Sequence, residues 1–394
     1  MKIPTRLKNL IICLIAAISA TLPATADNSR VSLLTCAPGE QIYELFGHTA
    51  LRYTDCDRSI DIVFGYGYFS FEQPNFVWRF ILGETDYLAG AVSYEAFIEE
   101  YRERGTGVTE QILELTPEQK RALRNALFND CRPQNSTYRY NYFYNNCTTK
   151  VRDRIMEQLP DSSSVTFHGT ARAATIREAV EQHTASQPWS AFGINLLLGA
   201  DVDKPATRHT LQFLPAYLMS DFATAQRGDG TPLVSEEREL LPNAEKEKTL
   251  NHFTPFNCAL LLLLLTMIIM LCEVRSGKRV WIYDTLLMLT QGVAGCLLLF
   301  MALISQHPAV SENYLIILLN PLPLFLIPFV VICAIKKRET PFMWAEVAMG
   351  ALFIASAPFV PQVYPAPMFI FAITIIVRSL FNIYRTRICD LNLY

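Results

Sequence analysis

The last third of the chain contains five long apolar stretches, and no other feature of the sequence constrains the fold as strongly. They cover about residues 255–272, 281–304, 314–335, 343–360 and 366–384. Each stretch approaches the length at which a helix crosses the hydrocarbon core of a bilayer. We therefore predict an all-α bundle of five transmembrane helices over residues 254–388.

The charges around these stretches indicate their orientation. All nine Lys and Arg residues after residue 250 lie in or beside alternate loops or near the C-terminal end, whereas the intervening loops, residues 305–313 and 361–367, contain none. By the positive-inside rule, we expect the domain before the first span to lie outside and the C-terminus to lie in the cytoplasm. Arg378, inside the last span, is expected to extend its guanidinium towards the cytoplasmic interface.

The beginning of the chain has the pattern of a secretory signal peptide. Three basic residues precede an apolar run over residues 10–22, and Ala-Thr-Ala follows at residues 24–26. We assign residues 1–26 to a signal peptide, with an uncleaved anchor as the alternative. Both ends of the chain therefore predict a multi-pass protein of the inner membrane with a periplasmic domain.

Residues 27–234 are predicted to form that periplasmic catalytic domain. Residues 235–253, which begin SEERELLPNAEKEK, are predicted to be a charged juxtamembrane linker. From residue 27 to residue 253 the chain has 31 Asp and Glu residues against 22 Lys and Arg residues. This acidic balance disfavours binding to nucleic acid.

The periodicity of the periplasmic part indicates a mixed fold. Alternating apolar residues predict strands over residues 31–36, 46–54, 59–66, 108–115 and 138–144. Helical patterns cover residues 75–82, 94–102 and 116–128, a segment beginning at Cys147, and the segments PWSAFGINLLLGADVD and LQFLPAYLMSDFATA. Because strands mostly precede helices, the predicted class is α+β.

Cys147 is the candidate nucleophile. It stands directly after Asn146 at the start of a predicted helix, and Val151 and Ile155 would continue its helix face. Backbone N–H groups and the helix dipole favour an anion there, so thiol pKa values fall below the free value of about 8.5. The alternative is an ordinary buried cysteine.

His48 is the candidate base, because it lies within a predicted strand in LFGHTALRY and a rigid strand would hold its imidazole well. His168, His183 and His209 lie in polar loops or on a helix surface. Together, His48 and Cys147 predict a cysteine acyl-transfer site whose helix-start N–H groups stabilise the oxyanion. This chemistry requires no metal and no cofactor. The alternative for His48 is a hydrogen-bonded core histidine.

Three further residues are candidates for supporting roles. Asn146 fits a helix N-cap and could also polarise the substrate carbonyl. Asp61 on the next strand is a candidate for orienting His48, with a solvent-facing edge residue as the alternative. Arg52 lies about 13 Å along the strand from His48, so we expect it to bind a phosphate or a structural carboxylate.

The predicted periplasmic domain has four cysteines, Cys36, Cys56, Cys131 and Cys147, which could form two disulfide bridges in an oxidising compartment. If Cys147 stays free, at least one other cysteine is unpaired as well. Cys56 and Cys131 are the predicted pair, because both lie in polar, turn-like segments.

The order of the two candidate residues resembles that of the circularly permuted papain-like enzymes, which include lecithin:retinol acyltransferase and relatives of the NlpC-type cell-wall peptidases. Papain-like enzymes usually present the helical cysteine before the strand histidine. Here the strand histidine comes first, and an asparagine-cysteine pair opens the helix. The resemblance implies a circularly permuted papain-like periplasmic domain.

A closer resemblance covers nearly the whole chain. The motifs LLTCAPGE, LFGHTALRY, YGYFSFEQPNF, YNYFYNNCTTKVRD and QFLPAYL, followed by a membrane bundle, resemble the Bacteroides-type Lnb family. This implies a lipoprotein N-acyltransferase that moves an acyl chain from a phospholipid to the α-amine of a lipidated N-terminal cysteine, with Cys147 as nucleophile and His48 as base. Where the family pattern has an asparagine before Tyr-Gly, this chain has Gly65, so the third catalytic member is unassigned.

Two other functions remain open from the sequence. A peptidoglycan amidase or endopeptidase would use the same Cys-His pair, although it has little need of five spans. A non-catalytic periplasmic binding module would keep its function when Cys147 is replaced by serine.

Overall fold

The computed structural model describes residues 27–69, 74–159, 164–168, 173–244 and 253–391. The predicted signal peptide and most of the second half of the predicted linker lie outside the described residues.

The N-terminal region is built on one antiparallel sheet of seven strands. The strands are β1 (Ser29–Cys36), β2 (His48–Asp55), β3 (Ile60–Tyr68), β4 (Asp86–Ser93), β5 (Val108–Leu113), β6 (Thr137–Arg139) and β7 (Val234–Leu241). Their order across the sheet is β6-β4-β3-β2-β1-β5-β7. A strand was predicted over residues 138–144, but β6 has only three residues and ends at Arg139. Strand β4 was not predicted.

Eight helices accompany this sheet among the described residues. They are α1 (Phe76–Leu82), α2 (Tyr94–Glu103), α3 (Pro117–Asp130), α4 (Cys147–Met156), α5 (Ile176–Thr184), α6 (Pro188–Leu197), α7 (Arg208–Leu211) and α8 (Pro215–Ala223). The start of α3 has the predicted signals, with Pro117 at its first position and a capping box between Thr116 and Gln119. No bounds were predicted for α5, although His183 was assigned to a helix surface.

The sheet buries both of its faces, as the alternation within its strands requires. On one face, Leu51 and Tyr53 of β2 belong to the core cluster that contains α4 residues Val151 and Ile155. On the other face, Ala50 belongs to a cluster with α2. Strand β2 therefore lies at the centre of the domain, between two helical layers.

The first part of the predicted linker is part of this sheet. Strand β7 pairs with β5, and the partners include Glu239 with Thr109 and Glu237 with Gln111. Charge alone suggested a tether, but β7 is an edge strand whose charged side chains are largely exposed, and charged residues are common on such edges.

The C-terminal region is helical. Its described α-helices are α9 (Pro255–Ser276), α10 (Trp281–Leu303), α11 (Leu322–Ile335), α12 (Pro341–Ser356) and α13 (Ala366–Leu391). Four helical segments are long and apolar enough to cross a membrane, namely Pro255–Ser276, Trp281–Leu303, Tyr314–Ile335 and Ala366–Arg387. Helix α12 is apolar but has only 16 residues.

The third of these segments is not one continuous α-helix. It begins with a 3-10 turn over Tyr314–Ile317, and α11 starts only at Leu322. Pro321 and Pro323 lie at this start, where the missing N–H of proline costs no helical hydrogen bond, whereas Pro328 lies inside α11.

Arg378 reaches two acidic residues near the helix ends that are predicted to be cytoplasmic, Glu273 of α9 and Asp284 of α10. Its guanidinium is buried and binds the carboxylates of Glu273 at 2.8 Å and Asp284 at 2.6 Å. Asn382 also donates a hydrogen bond to Asp284. Unpaired charges are costly in an apolar bundle, so two nearby carboxylates hold the arginine inside.

The N-terminal and C-terminal regions are joined by several hydrogen bonds. The Gln306 N–H donates to the carbonyl oxygen of Leu82 at 2.8 Å, and the Gly199 N–H donates to that of Ala309 at 2.7 Å. The side-chain amide of Gln362 donates to the carbonyl oxygen of Leu198 at 3.0 Å. These contacts lie in the two loops that contain no Lys or Arg.

Candidate active site

The start of α4 is defined by Asn146. Its Oδ1 accepts hydrogen bonds from the N–H groups of Thr148 at 2.9 Å and Thr149 at 2.8 Å. In return, the Thr149 hydroxyl oxygen accepts the Asn146 N–H at 2.8 Å. This reciprocal cap fixes the first helical residue as Cys147, at the end of the helix where the backbone favours an anion.

The Asn146 side chain has no capacity left for a substrate. Its amide nitrogen donates to the carbonyl oxygens of Tyr142 at 3.1 Å and Phe213 at 2.9 Å, while its oxygen caps the helix. The structure therefore favours the cap over the polarisation of a substrate carbonyl. The cap also uses the N–H groups of Thr148 and Thr149, so the N–H of Cys147 is the helix-start donor that remains.

His48 is held at the first position of β2. It follows Gly47, whose φ of 78° lies in the left-handed region. A Cβ at Gly47 would also lie 2.4 Å from the carbonyl oxygen of Cys36, so only glycine fits. One residue further along, the hydroxyl oxygens of Thr49 and Thr148 lie 3.1 Å apart and tie β2 to α4.

The structure brings His48 and Cys147 into contact. Burial by itself raises the pKa of the Cys147 thiol, but the charge of His48 and a hydrogen bond from its imidazole outweigh burial, so this pKa lies below its usual value. Burial likewise lowers the pKa of His48, and the Cys147 thiolate more than reverses this effect. The two shifts have opposite signs, so each group stabilises the charged form of the other. The N–H of Thr49 also stabilises the thiolate.

Arg52 and Asp61 lie away from this pair. Arg52 binds Asp61 at 2.7 Å and Glu110 at 3.2 Å, and its guanidinium stacks on the ring of Tyr94. Of the two expectations for Arg52, the structural carboxylate is the one observed. Asp61 pairs with Thr54 near the far end of β2, so its carboxylate neutralises Arg52 and does not orient His48.

The other cysteines of the domain differ from Cys147. None of the described cysteines forms a disulfide, so the predicted Cys56–Cys131 bridge is wrong. Burial raises the pKa of Cys36 to about 12 and that of Cys131 to about 11, which keeps both thiols protonated.

The three other described histidines of the N-terminal region lie outside the site. His183 bonds the carbonyl oxygen of Ala179 within its own helix, and His168 bonds the hydroxyl of Thr166. His209 provides its backbone carbonyl oxygen to Arg152, which fastens α4 to α7. Among the described residues, no group of three or more His, Cys, Asp or Glu side chains is arranged to hold a metal ion.

Cys147 and His48 line a cavity of about 1440 Å³. This volume exceeds the usual range of small-molecule sites, about 300–1,000 Å³. The cavity extends from the sheet to the membrane region, because Leu297 and Met301 of α10 also line it. Its polar lining includes Arg104, which pairs with Glu44 and Glu100.

Aromatic side chains form much of the lining beside Cys147. The ring of Tyr140 stacks on that of Tyr87 with centroids 4.2 Å apart, and Tyr142 packs against Phe46. The cluster of aromatics before Cys147 was assigned to a strand from its periodicity. These residues form a turn instead, and the turn places their rings around the thiol. The many aromatic residues just before the helix were the sequence signal that could have indicated this lining.

Two other contributors were not identified from the sequence. His307, in a loop of the membrane region, lines the cavity and donates to the carbonyl oxygen of Phe80 at 2.6 Å. Tyr68 covers Gly65, because a Cβ at Gly65 would lie 2.8 Å from the Tyr68 hydroxyl oxygen.

The two regions match two family models in the same order. Residues 20–182 match the Lnb N-terminal periplasmic domain, and residues 245–387 match the Lnb transmembrane domain. The chain belongs to the Lnb family. As an Lnb family member it is a membrane protein with a periplasmic domain that carries the Cys147–His48 pair. No curated protein and no solved structure matches the chain.

Proposed function

We propose that this Lnb family protein is a lipoprotein N-acyltransferase that uses Cys147 as its nucleophile and His48 as its base. The acyl donor is a phospholipid, and the acceptor is the α-amine of the lipidated N-terminal cysteine of a lipoprotein. One observation carries the proposal: the Cys147 thiol contacts the His48 imidazole and opens into a lipid-sized cavity, part of whose wall belongs to the membrane region.

In the first half of the reaction, the Cys147 thiolate attacks an ester carbonyl of the phospholipid. The C–O bond breaks, and the His48 imidazolium donates its proton to the leaving glycerol oxygen. The products are an acyl-thioester on Cys147 and a lysophospholipid. In this proposal the Cys147 N–H donates a hydrogen bond to the oxyanion, since Asn146 already accepts hydrogen bonds from the next two N–H groups of the helix.

In the second half, the neutral α-amine of the acceptor attacks the thioester carbonyl. A C–N bond forms, His48 accepts the proton of the amine, and Cys147 leaves as the thiolate. Water would compete for the thioester, and the buried, aromatic surroundings of Cys147 limit that hydrolysis. The reaction is ping-pong and needs no cofactor.

Both substrates are membrane lipids, so the domain arrangement forms part of the proposal. We infer a periplasmic domain of the circularly permuted papain-like type, supported by the strand His48 that precedes the helical Cys147. In this proposal α12 is a fifth, short span. The C-terminus is then cytoplasmic, because the loops that contact the exported domain contain no Lys or Arg.

The test is mass spectrometry of lipoprotein N-termini from cells that lack this protein and receive wild type, Cys147→Ala or His48→Ala. We expect N-acylation only with wild type, and accumulation of the diacylglyceryl form with both variants. Cys131→Ala is the matched control, because Cys131 does not line the cavity and its thiol is protonated.

Three results would contradict the proposal. N-acylation restored by Cys147→Ala would exclude the thiol mechanism. Cut muropeptides without any change in lipoproteins would indicate a peptidoglycan amidase or endopeptidase. A phenotype rescued equally by wild type and Cys147→Ala, without acyl transfer, would indicate a non-catalytic module.

A further inference from the structure

The membrane region lines the cavity with one face of α10. The residues are Ala294, Leu297, Leu298 and Met301, which follow the i, i+3, i+4, i+7 spacing of a single helix face. All four are apolar. Ala294 lies about 13 Å below the end of α10 at Leu303, given a rise of about 1.5 Å per residue. The cavity therefore extends well into the membrane region.

The deep end of the cavity is formed by Ala294 and Leu319. No other described residue of α10 that lines the cavity lies further from Leu303 than Ala294. Beside it, a Cβ at Gly295 would lie 2.3 Å from the backbone carbonyl carbon of Asn320. This close contact fixes the segment that carries Leu319 against α10, so the end wall cannot easily move.

Polarity changes along the cavity. The charged lining residues Glu44, Glu100 and Arg104 all belong to the exported domain, close to the sheet. The lining from the membrane-spanning part of α10 is apolar. An amphipathic substrate would therefore place its polar part near His48 and its hydrocarbon chain along α10, because apolar surface is stabilised by contact with other apolar surface.

We propose that this face of α10 is the subsite for the acyl chain carried by Cys147, and that Ala294 and Leu319 limit the length of that chain. The proposal rests on the proposed function, since it requires an acyl-thioester on Cys147. It assigns the membrane region a direct role in substrate selection in addition to anchoring the domain.

Gly193 of α6 offers a second way to narrow the cavity. It lines the cavity, and a Cβ at this position would meet nothing within 4 Å. A larger side chain there therefore projects into open space. Replacing a helical glycine also favours the helix, because glycine is among the weakest helix formers.

The experiment uses the full-length protein in lipid nanodiscs, with phospholipid donors of graded acyl-chain length. The acyl-thioester on Cys147 is measured by intact-protein mass spectrometry. We expect Ala294→Phe to lower the yield from the longest donors by about tenfold relative to the shortest donors. Val293→Phe is the matched control, because Val293 lies at the same depth, is exposed and does not line the cavity.

If Ala294→Phe does not fold, the same measurement is made on Gly193→Phe. We expect that variant also to form the thioester preferentially from donors with short chains. A wild-type length profile in the folded variants would overturn the proposal, and so would an equal loss at every chain length. These results leave the proposed function intact, because wild type still forms the thioester. A wild-type protein that forms no thioester with any donor would overturn both proposals.

Discussion

The start of α4 and the end of β1 each carry a buried cysteine, yet the two thiols have opposite properties. Cys36 pairs in the sheet register with His48, and burial raises the pKa of its thiol to about 12. Cys147 is also buried, but its pKa is lowered. Burial therefore does not decide which cysteine is reactive. A position beside His48 in the sheet does not decide it either.

The difference comes from the groups that face each sulfur. Cys36 shares a hydrogen bond with the phenol of Tyr101, which offers little compensation for the loss of water. Cys147 has the imidazole of His48, the N–H of Thr49 and a helix start at its sulfur. A thiolate is stabilised where several donors and a positive charge converge, even inside a core.

Removing the imidazole is the strongest way to break this contrast. We expect His48→Ala to lower the rate of acyl transfer by about 10²–10⁴-fold, the usual contribution of a general acid-base group. Steady-state transfer to a diacylated lipopeptide measures this effect. His183→Ala is the matched control, since His183 does not line the cavity, and a comparable loss in that variant would refute the assignment.

Thiol alkylation as a function of pH sharpens the same contrast. Because the pKa of Cys147 is lowered, its thiolate persists at pH values below the ordinary midpoint of about 8.5, and iodoacetamide should modify it there. In His48→Ala the midpoint should move to higher pH, because burial then acts without the imidazolium. Peptide mass spectrometry follows each cysteine, and Cys36 should stay unmodified until its pKa of about 12 is approached. Equal midpoints for the two cysteines would contradict the contrast.

Replacing the helix cap separates the stability of α4 from its chemistry. Asn146→Ala should lower the free energy of unfolding by about 1–3 kcal/mol, because it removes the cap and the hydrogen bonds to the carbonyl oxygens of Tyr142 and Phe213, the second of which is buried. It should also lower acyl transfer per folded molecule. Thermal unfolding measures the first effect, and steady-state transfer to a diacylated lipopeptide measures the second.

The control for that variant is Thr116→Ala, which removes the cap of α3. It should cost about 1 kcal/mol but leave the activity of folded protein unchanged, because Thr116 does not line the cavity. If Thr116→Ala and Asn146→Ala lower the activity equally, the loss in Asn146→Ala is explained by lower stability alone.

The smallest effect is expected at Asp61. Asp61→Asn weakens a partly exposed ion pair with Arg52 and should destabilise the protein by no more than about 1 kcal/mol. The rate of acyl transfer should stay within about twofold of wild type, because a twofold change in rate corresponds to only a small change in the activation free energy. A large loss of activity with a normal melting temperature would restore Asp61 as an orienting residue.

Local signals predicted much of the fold. The helix start at Cys147 follows from Asn146, and the start of α3 follows from Thr116 and Pro117, since caps and prolines act on neighbouring backbone groups. Strand β7 was misread because an edge strand and a solvated tether share charged side chains. The burial of Arg378 was also missed, because its partners Glu273 and Asp284 lie on other helices.

The sequence by itself determined that the chain has an exported domain and a membrane region, and which cysteine and histidine are the candidates for chemistry. These depend on composition, charge and spacing within short segments. Only the tertiary structure decided that His48 meets Cys147, that Asp61 neutralises Arg52, and that α10 lines the cavity of the thiol. Each depends on contacts between distant segments, whose energies cannot be read from the local pattern of residues.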